Sequence, residues 1–182
     1  STSCQREVRS WLSKTNGALE HDGGKKKPLR DRLAAKEKIM ADIAIQKSKI
    51  DVSVEKLQVH FKSGLTGCDA VPIAGAALKA ELDTLMGVVR QQSVELEEAI
   101  SQVEQYQQEL LHLKQDVTET EQKLRTVSSP NYLPNDRELA VAEQNACKER
   151  IRTLQSKISA KTERVKLLIQ RGTPDLDPLI TS

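Results

Sequence analysis

Hydrophobic residues recur along most of the chain at alternating steps of four and three, which is the spacing of one face of an α-helix. The first long run has ten positions, and only its two lysines are polar: Leu29, Leu33, Lys36, Met40, Ile43, Lys47, Ile50, Val54, Leu57 and Phe61. The run predicts a helix over residues 28–62. Pro28 fits the first turn of that helix, where a backbone N–H has no intrahelical partner to lose.

The second run is the longest, and no proline interrupts residues 73–129. Only Gln92 and Thr120 break its apolar character: Leu78, Leu82, Leu85, Val89, Gln92, Leu96, Ala99, Val103, Tyr106, Leu110, Leu113, Val117, Thr120, Leu124 and Val127. It predicts one uninterrupted helix of roughly 50 residues. Other helices must pack along its length, because intrinsic propensity alone does not hold so long a helix in place.

Two further helices complete the pattern. The third run predicts a helix over 135–171: Cys147, Ile151, Leu154, Ile158, Lys161, Val165 and Leu168. A turn, "SSPNYLP", precedes this helix, and Gly172 with two following prolines ends it. Residues 4–21 form a short amphipathic segment whose apolar face is predicted to hold Val8, Trp11, Thr15 and Ala18, with Leu12 and Leu19 beside it.

Composition and charge narrow the class of protein. Aromatic residues are 2% of the chain and charged residues 30%, which argues against a compact α/β or all-β core that relies on large rings. The formal net charge is +2, so no global field favours nucleic acid or an anionic membrane. No apolar run approaches the roughly 20 residues of a membrane span. We therefore expect protein partners, no nucleic acid and no membrane insertion.

The sequence lacks the motifs of catalysis and of metal binding. It has no glycine-rich phosphate loop, nucleophile elbow or paired-carboxylate motif, so we expect no enzyme activity and no cofactor. Neither the histidines nor the cysteines have metal-ligand spacing: His21, His60 and His112; Cys4, Cys68 and Cys147. An odd number of widely spaced cysteines favours a reducing, intracellular setting. The short basic loop "GGKKKP" at residues 23–28 is interpreted as solvated.

A weak internal repeat suggests a family. "PLRDRLA" begins at Pro28 and "PNDRELA" begins at Pro134, so the two lie 106 positions apart. Together with Trp11 in "REVRSWLSK" and one helix running through the repeat boundary, this period resembles the spectrin-repeat family. That resemblance implies a left-handed three-helix coil per repeat, with the third helix of one repeat continuing as the first helix of the next.

The resemblance implies an all-α, elongated rod of tandem three-helix coiled-coil repeats, the second of which lacks its third helix. The first repeat would cover 1–100, with helices at about 4–21, 28–62 and 73–100. The second, incomplete repeat would cover 101–182, with helices at about 101–128 and 134–171. Trp11 would then lie buried between the other two helices, and Trp11→Ala would cost about 3–5 kcal/mol if the ring is fully buried.

The resemblance also implies a function. Such repeats build giant cytoskeletal linkers, and the loose loops favour a nesprin over a spectraplakin. The parent protein would join actin or microtubules to the outer nuclear membrane or to junctions. This chain, which opens on "STSC" with no methionine, would be a piece of it that acts as a non-catalytic spacer and docking scaffold in the cytoplasm. An actin regulator or another component of the actin cytoskeleton is the expected partner, with no contact residues assigned.

The missing third helix leaves two alternatives. Two chains could complete each other as a coiled-coil homodimer, or the open groove of the second repeat could accept a helix from a partner.

A charge pattern predicts how the last two helices pair. Basic residues of the fourth helix recur every seven positions and would face the flank of the preceding helix, as Asp116 with Arg150, Glu109 with Lys157, Gln102 with Arg164, and Glu95 with Arg171. We interpret this stripe as interhelical pairs that set register. The other interpretation is a docking face for actin, acidic lipid or nucleic acid.

Overall fold

The computed structural model of the chain describes residues 2–21, 27–61, 70–132 and 137–176. It contains the four helices α1 (Thr2–His21), α2 (Leu29–Phe61), α3 (Ala70–Val127) and α4 (Arg137–Arg171). No strand occurs within these ranges, so the described part of the chain is all-α, as the spacing of its hydrophobic residues predicts. Helix α3 has 58 residues and begins three residues before the predicted start. Pro72 lies in its first turn, where it removes no helical hydrogen bond.

The chain divides into two compact units, residues 1–98 and residues 99–182. Helix α3 belongs to both, because its residues 70–98 fall in the first unit and 99–127 in the second. That the two units are successive spectrin-type repeats stays a prediction.

Unit 1 is a three-helix bundle around one hydrophobic core. Each of the three helices contributes buried side chains to this core: Val8 and Leu12 from α1, Ile43 and Ile50 from α2, and Leu78, Leu82, Leu85 and Val89 from α3. The described positions of the predicted α2 run are buried or half-buried, and the side chain of Phe61 lies outside the described set. The run therefore predicts correctly which face of α2 enters the core.

Ion pairs between the helices show the direction in which they pack. Lys47 of α2 contacts Asp83 of α3 at 2.5 Å, and Asp51, one turn later on α2, contacts Lys79, one turn earlier on α3, at 2.7 Å. These two helices are therefore antiparallel. Arg9 joins α1 to Glu81 of α3 at 3.3 Å. Lys47, which breaks the apolar run of α2, is accommodated because its ammonium reaches a carboxylate at the edge of the core.

At Gly75, α3 packs closely against α2. A Cβ atom built on this buried glycine would lie 3.0 Å from a methyl of Val54 and 3.3 Å from a methyl of Ile50. A side chain here would push the helices apart, so the absence of one permits their close packing.

The structure corrects the predicted face of α1. Val8 is fully buried as predicted, but Leu12, and not Trp11, is the second buried residue; their exposures are 0% and 6%. Trp11 is half-buried at the edge of the core, and Ala18 is exposed. The buried face of α1 is therefore shifted toward Leu12 and Leu19 relative to the prediction, while the Trp11 indole packs against the core from its edge.

Unit 2 is an antiparallel hairpin of α3 (from residue 99) and α4. The buried hydrophobic residues all come from the predicted runs: Ala99, Val103, Tyr106, Val127, Cys147, Leu154, Val165 and Leu168. The runs on α3 and α4 therefore predict correctly which faces of the two helices meet.

The corrected buried face of α1 gives a stability prediction. We expect Leu12→Ala to lower the free energy of unfolding by about 2–5 kcal/mol, as for other buried leucines. Ala18→Gln should change it by less than about 0.5 kcal/mol, because the side chain points to solvent. Urea unfolding followed by the fluorescence of Trp11, the single tryptophan, measures both. A large loss of stability with Ala18→Gln would instead show that Ala18 lies on the buried face of α1, as the sequence predicts.

Candidate partner-binding surfaces

The middle of the unit 2 hairpin has an incompletely covered apolar seam. Its residues are neither buried nor exposed, although they belong to runs with buried members: Leu110, Leu113, Val117, Leu124, Ile151 and Ile158. On α4 the buried Leu154 lies between two of them. Two packed helices cover each other's seams from one side only, and a third is needed to enclose them. No third helix occurs among the described residues of this unit. The half-buried seam is the position at which the sequence predicts an open groove.

Charged residues along one flank of the hairpin pair across it. Arg150 of α4 lies 3.9 Å from Asp116 of α3, as predicted. Gln102 and Arg164 do not face each other directly but meet at a common partner, Asp175. The pair Glu95 and Arg171 joins residues of different units and stays a prediction. Two of the four residues of the basic stripe, Arg150 and Arg164, therefore pair within the unit, which favours register over docking as their role.

The predicted pairing of Glu109 with Lys157 is wrong, because Glu109 pairs with Lys161. Lys161 interrupts the apolar run of α4, and its ammonium also lies 5.3 Å from the centroid of the Tyr106 ring. Tyr106 and Glu109 are three residues apart and share one face of α3, so a single cation reaches both. Lys157 is exposed. Glu109 therefore pairs with a lysine of the α4 run, because that ammonium can contact both the Tyr106 ring and the Glu109 carboxylate.

The end of α4 is anchored back onto α3. Gly172 adopts a positive φ of 67°, and its N–H donates to the carbonyl of Leu168 at 2.8 Å, which ends the helix. The chain then places Asp175 beside Arg164, whose Nε donates to the carboxylate at 2.8 Å. The backbone of Asp175 exchanges two hydrogen bonds with the side-chain amide of Gln102, at 2.7 and 3.1 Å. This clasp holds the two helices together far from their connecting turn.

A second set of hydrogen bonds fixes the turn end of the hairpin. The amide of Gln144 donates to the carbonyl of Val127 at 3.2 Å and so satisfies one of the free carbonyls at the end of α3. The hydroxyl of Tyr132 donates to the Glu143 carboxylate at 2.6 Å. That hydrogen bond raises the pKa of Tyr132, with smaller contributions from partial burial and from the carboxylate charge.

A further surface, which the sequence reasoning above missed, lies on the outer face of α2 in unit 1. A groove of about 940 Å³ runs between this face and the start of α1, and Cys4, Ile45, Lys49, Val52 and Lys56 are among its lining residues. Ile45 and Val52 are 53% and 49% exposed. The signal was available in the sequence as a second four-three run on α2, but the stronger inner run obscured it.

Reactive groups are not brought together among the described residues. These contain no group of three or more His, Cys, Asp or Glu side chains that could hold a metal. Cys147 is buried and Cys4 half-buried, whereas Cys68 lies outside the described residues. His112 is exposed; the side chains of His21 and His60, and most of the basic loop, are likewise outside the described set. No helix in the described ranges is long and apolar enough to cross a membrane.

Comparison with known proteins finds one informative similarity. The chain is 43% identical over 144 residues to "Muscle-specific protein 300 kDa" of Drosophila melanogaster. The aligned residues are 78% of this chain but 1% of that protein, so the chain spans a very small part of the relative it matches. No family profile and no solved structure matches the chain. The chain is thus similar to a short segment of a large muscle-specific protein.

A double-mutant cycle measures the interaction between Glu109 and Lys161. We expect Glu109→Ala and Lys161→Ala to show a coupling energy of about 1 kcal/mol, which is modest because both side chains are partly solvated. The matched cycle of Glu109→Ala with Lys157→Ala should give less than about 0.3 kcal/mol. Thermal unfolding by circular dichroism supplies both values. Stronger coupling to Lys157 would favour the pairing predicted from the charge pattern.

The raised pKa of Tyr132 predicts an alkaline loss of stability. The unfolded phenol ionises near its usual pKa of 10.0, while the native phenol keeps its proton to higher pH. The native state therefore binds more protons above that value, and stability falls as the pH rises. We expect the stability advantage of the native chain over Tyr132→Phe to be constant below about pH 9 and to shrink above about pH 10. Urea midpoints of both proteins across this range test it; a constant difference contradicts it.

Proposed function

We propose that this chain is a non-catalytic structural spacer and protein-docking scaffold within a large cytoskeletal protein. One observation carries the proposal: the 58-residue helix α3 supplies core side chains to both units. Leu82 and Val89 lie in the core of unit 1, and Val103 and Tyr106 lie in the core of unit 2. A force applied to one unit would pass to the other through hydrogen-bonded helical backbone and not through a loop.

A more specific proposal for the parent protein rests on the resemblance to the spectrin-repeat family. The parent would be a giant linker, a nesprin in preference to a spectraplakin, that connects actin or microtubules to the nuclear envelope or to junctions. An actin regulator or another cytoskeletal protein would be the partner, in the cytoplasm. The similarity to a segment of a muscle-specific protein supports a cytoskeletal setting, and the three-helix core of unit 1 supports the kind of repeat.

A second candidate function is favoured by the half-buried seam of unit 2. Leu110, Val117, Ile151 and Ile158 would become fully buried if a further helix packed against them. That helix would come from a partner protein or from a second copy of the chain. The solution mass separates the second copy from the other arrangements.

The spacer proposal predicts a monomer whose two units unfold together. We expect light scattering to give a mass near 20.3 kDa, and Trp11 fluorescence, which reports on unit 1, to change together with the circular dichroism of the whole chain. Glu98→Pro interrupts α3 at the last residue of unit 1, at a cost of about 3 kcal/mol, and should split the transitions. Glu98→Ala, which preserves the helix at this exposed position, is the matched control.

The outcomes discriminate between the candidates. A mass twice that of the chain would favour the coiled-coil homodimer. Two separate transitions in the unmodified monomer would mean that α3 does not couple the units, and the spacer proposal would lose its support.

A further inference from the structure

The outer face of α2 carries a second seam with the spacing of a coiled coil. We define this outer seam by eight positions at alternating steps of four and three, six of which are small or apolar: Ala34, Lys38, Ala41, Ile45, Ser48, Val52, Glu55 and Val59. All eight are exposed. Val59 is the most exposed large hydrophobic residue of α2, at 73%. If α2 only packed into the core of unit 1, its solvent-facing positions would not require an apolar repeat at four-three spacing.

The seam has the anatomy of one half of a helix pair. Ile45, Val52 and Val59 recur every seven residues, and the small residues Ala41 and Ser48 alternate with them, so a facing helix could insert its side chains between them. Helix α1 borders the groove at Cys4 and Glu7, so the partner would contact two helices and not a single isolated face.

Charge along the edges of the seam specifies the partner. Lys49 and Lys56 each come directly after a seam position, Ser48 and Glu55, at the same heptad place. Both line the groove, and neither forms an ion pair with any described residue. Asp42 is the acidic residue on this edge, one heptad earlier. An acidic row on the partner would therefore face the segment from Lys49 to Lys56.

A second copy of this chain fits the seam poorly. In an antiparallel pair, the edge bearing Lys49 and Lys56 would face the same edge of the other copy, so that lysines would meet at the centre and only the single Asp42 could offset them. In a parallel pair it would face the opposite edge, which contains Glu37, Ala44, Asp51 and Gln58. Asp51 is already held by Lys79 at 2.7 Å, so Glu37 alone would remain as an acidic partner.

We propose that the outer seam of α2 docks an amphipathic helix of another protein, with apolar residues at four-three spacing and an acidic row that pairs with Lys49 and Lys56. This site is distinct from the seam of unit 2 and adds a specific surface to the proposed scaffold.

The test uses the full chain and two synthetic peptides of about four heptads. Both have leucine at the two seam positions of each heptad; one has glutamate on both flanks and the other has lysine. The like charges keep each peptide from pairing with itself. Fluorescence anisotropy of the labelled peptides should show the glutamate peptide binding at least about tenfold more tightly than the lysine peptide, and this preference should weaken as salt is added.

Charge reversal identifies the site. Lys49→Glu with Lys56→Glu should invert the preference between the peptides. Lys114→Glu with Lys123→Glu alters exposed lysines of unit 2 and should leave both affinities unchanged. Ile45→Ser with Val52→Ser should abolish binding of the glutamate peptide, whereas Leu139→Ser with Val141→Ser, at comparably exposed positions of α4, should not. Circular dichroism confirms that each variant is folded.

Several results would overturn the proposal. Equal affinity for the two peptides, or a preference unaffected by reversal of Lys49 and Lys56, would exclude recognition of an acidic helix. A dimer that Ile45→Ser with Val52→Ser dissociates would assign the seam to a second copy of the chain. Binding to vesicles of anionic lipid, without binding to the glutamate peptide, would assign it to a membrane surface.

Discussion

The fold depends on one constraint, which is that each long helix must bury a narrow apolar seam that it cannot cover by itself. A seam at four-three spacing occupies one side of a helix, and its apolar surface is removed from water only when other helices pack against it. In unit 1, α1, α2 and α3 satisfy this requirement together, and the core includes fully buried residues such as Ile43 and Leu82. Among the residues of unit 2 that the structure describes, only α3 and α4 pack together, and Leu110 and Ile158 remain half-buried.

Polar contacts in unit 2 fix the relative position of α3 and α4, which the half-buried hydrophobic seam alone holds less firmly. The clasp at Asp175 and the hydrogen bonds at Tyr132 and Gln144 hold the two ends of the hairpin. Between them, Lys161 bridges Glu109 and the Tyr106 ring. Charged contacts at this degree of exposure contribute little to stability, but they select one register, which a two-helix seam of repeating leucines and isoleucines specifies weakly.

The same geometry explains why the candidate functions concern docking. The side chains that stand out are apolar ones at coiled-coil spacing that lack a covering helix, on the unit 2 seam and on the outer face of α2. Such surfaces bind other helices. Their position on continuous helices means that a bound partner would be attached to the elements that hold the cores together and not to a loop. The similarity to a segment of a large muscle-specific protein agrees with a structural setting for such contacts.

The sequence by itself determined the helices and the buried faces of α2, α3 and α4, because a four-three run of apolar residues such as Leu78, Leu82 and Leu85 requires only local geometry. It also indicated the hairpin register through Asp116 and Arg150. Only the tertiary structure decided which of two adjacent residues, Trp11 or Leu12, enters the core, since that depends on the space left between α2 and α3. The tertiary structure likewise decided that Glu109 pairs with Lys161, because the Tyr106 ring makes that position favourable for a cation. The tertiary structure also decided that the outer seam of α2 is exposed. Spacing marks a face as apolar, but only packing shows that no described residue of unit 1 covers it.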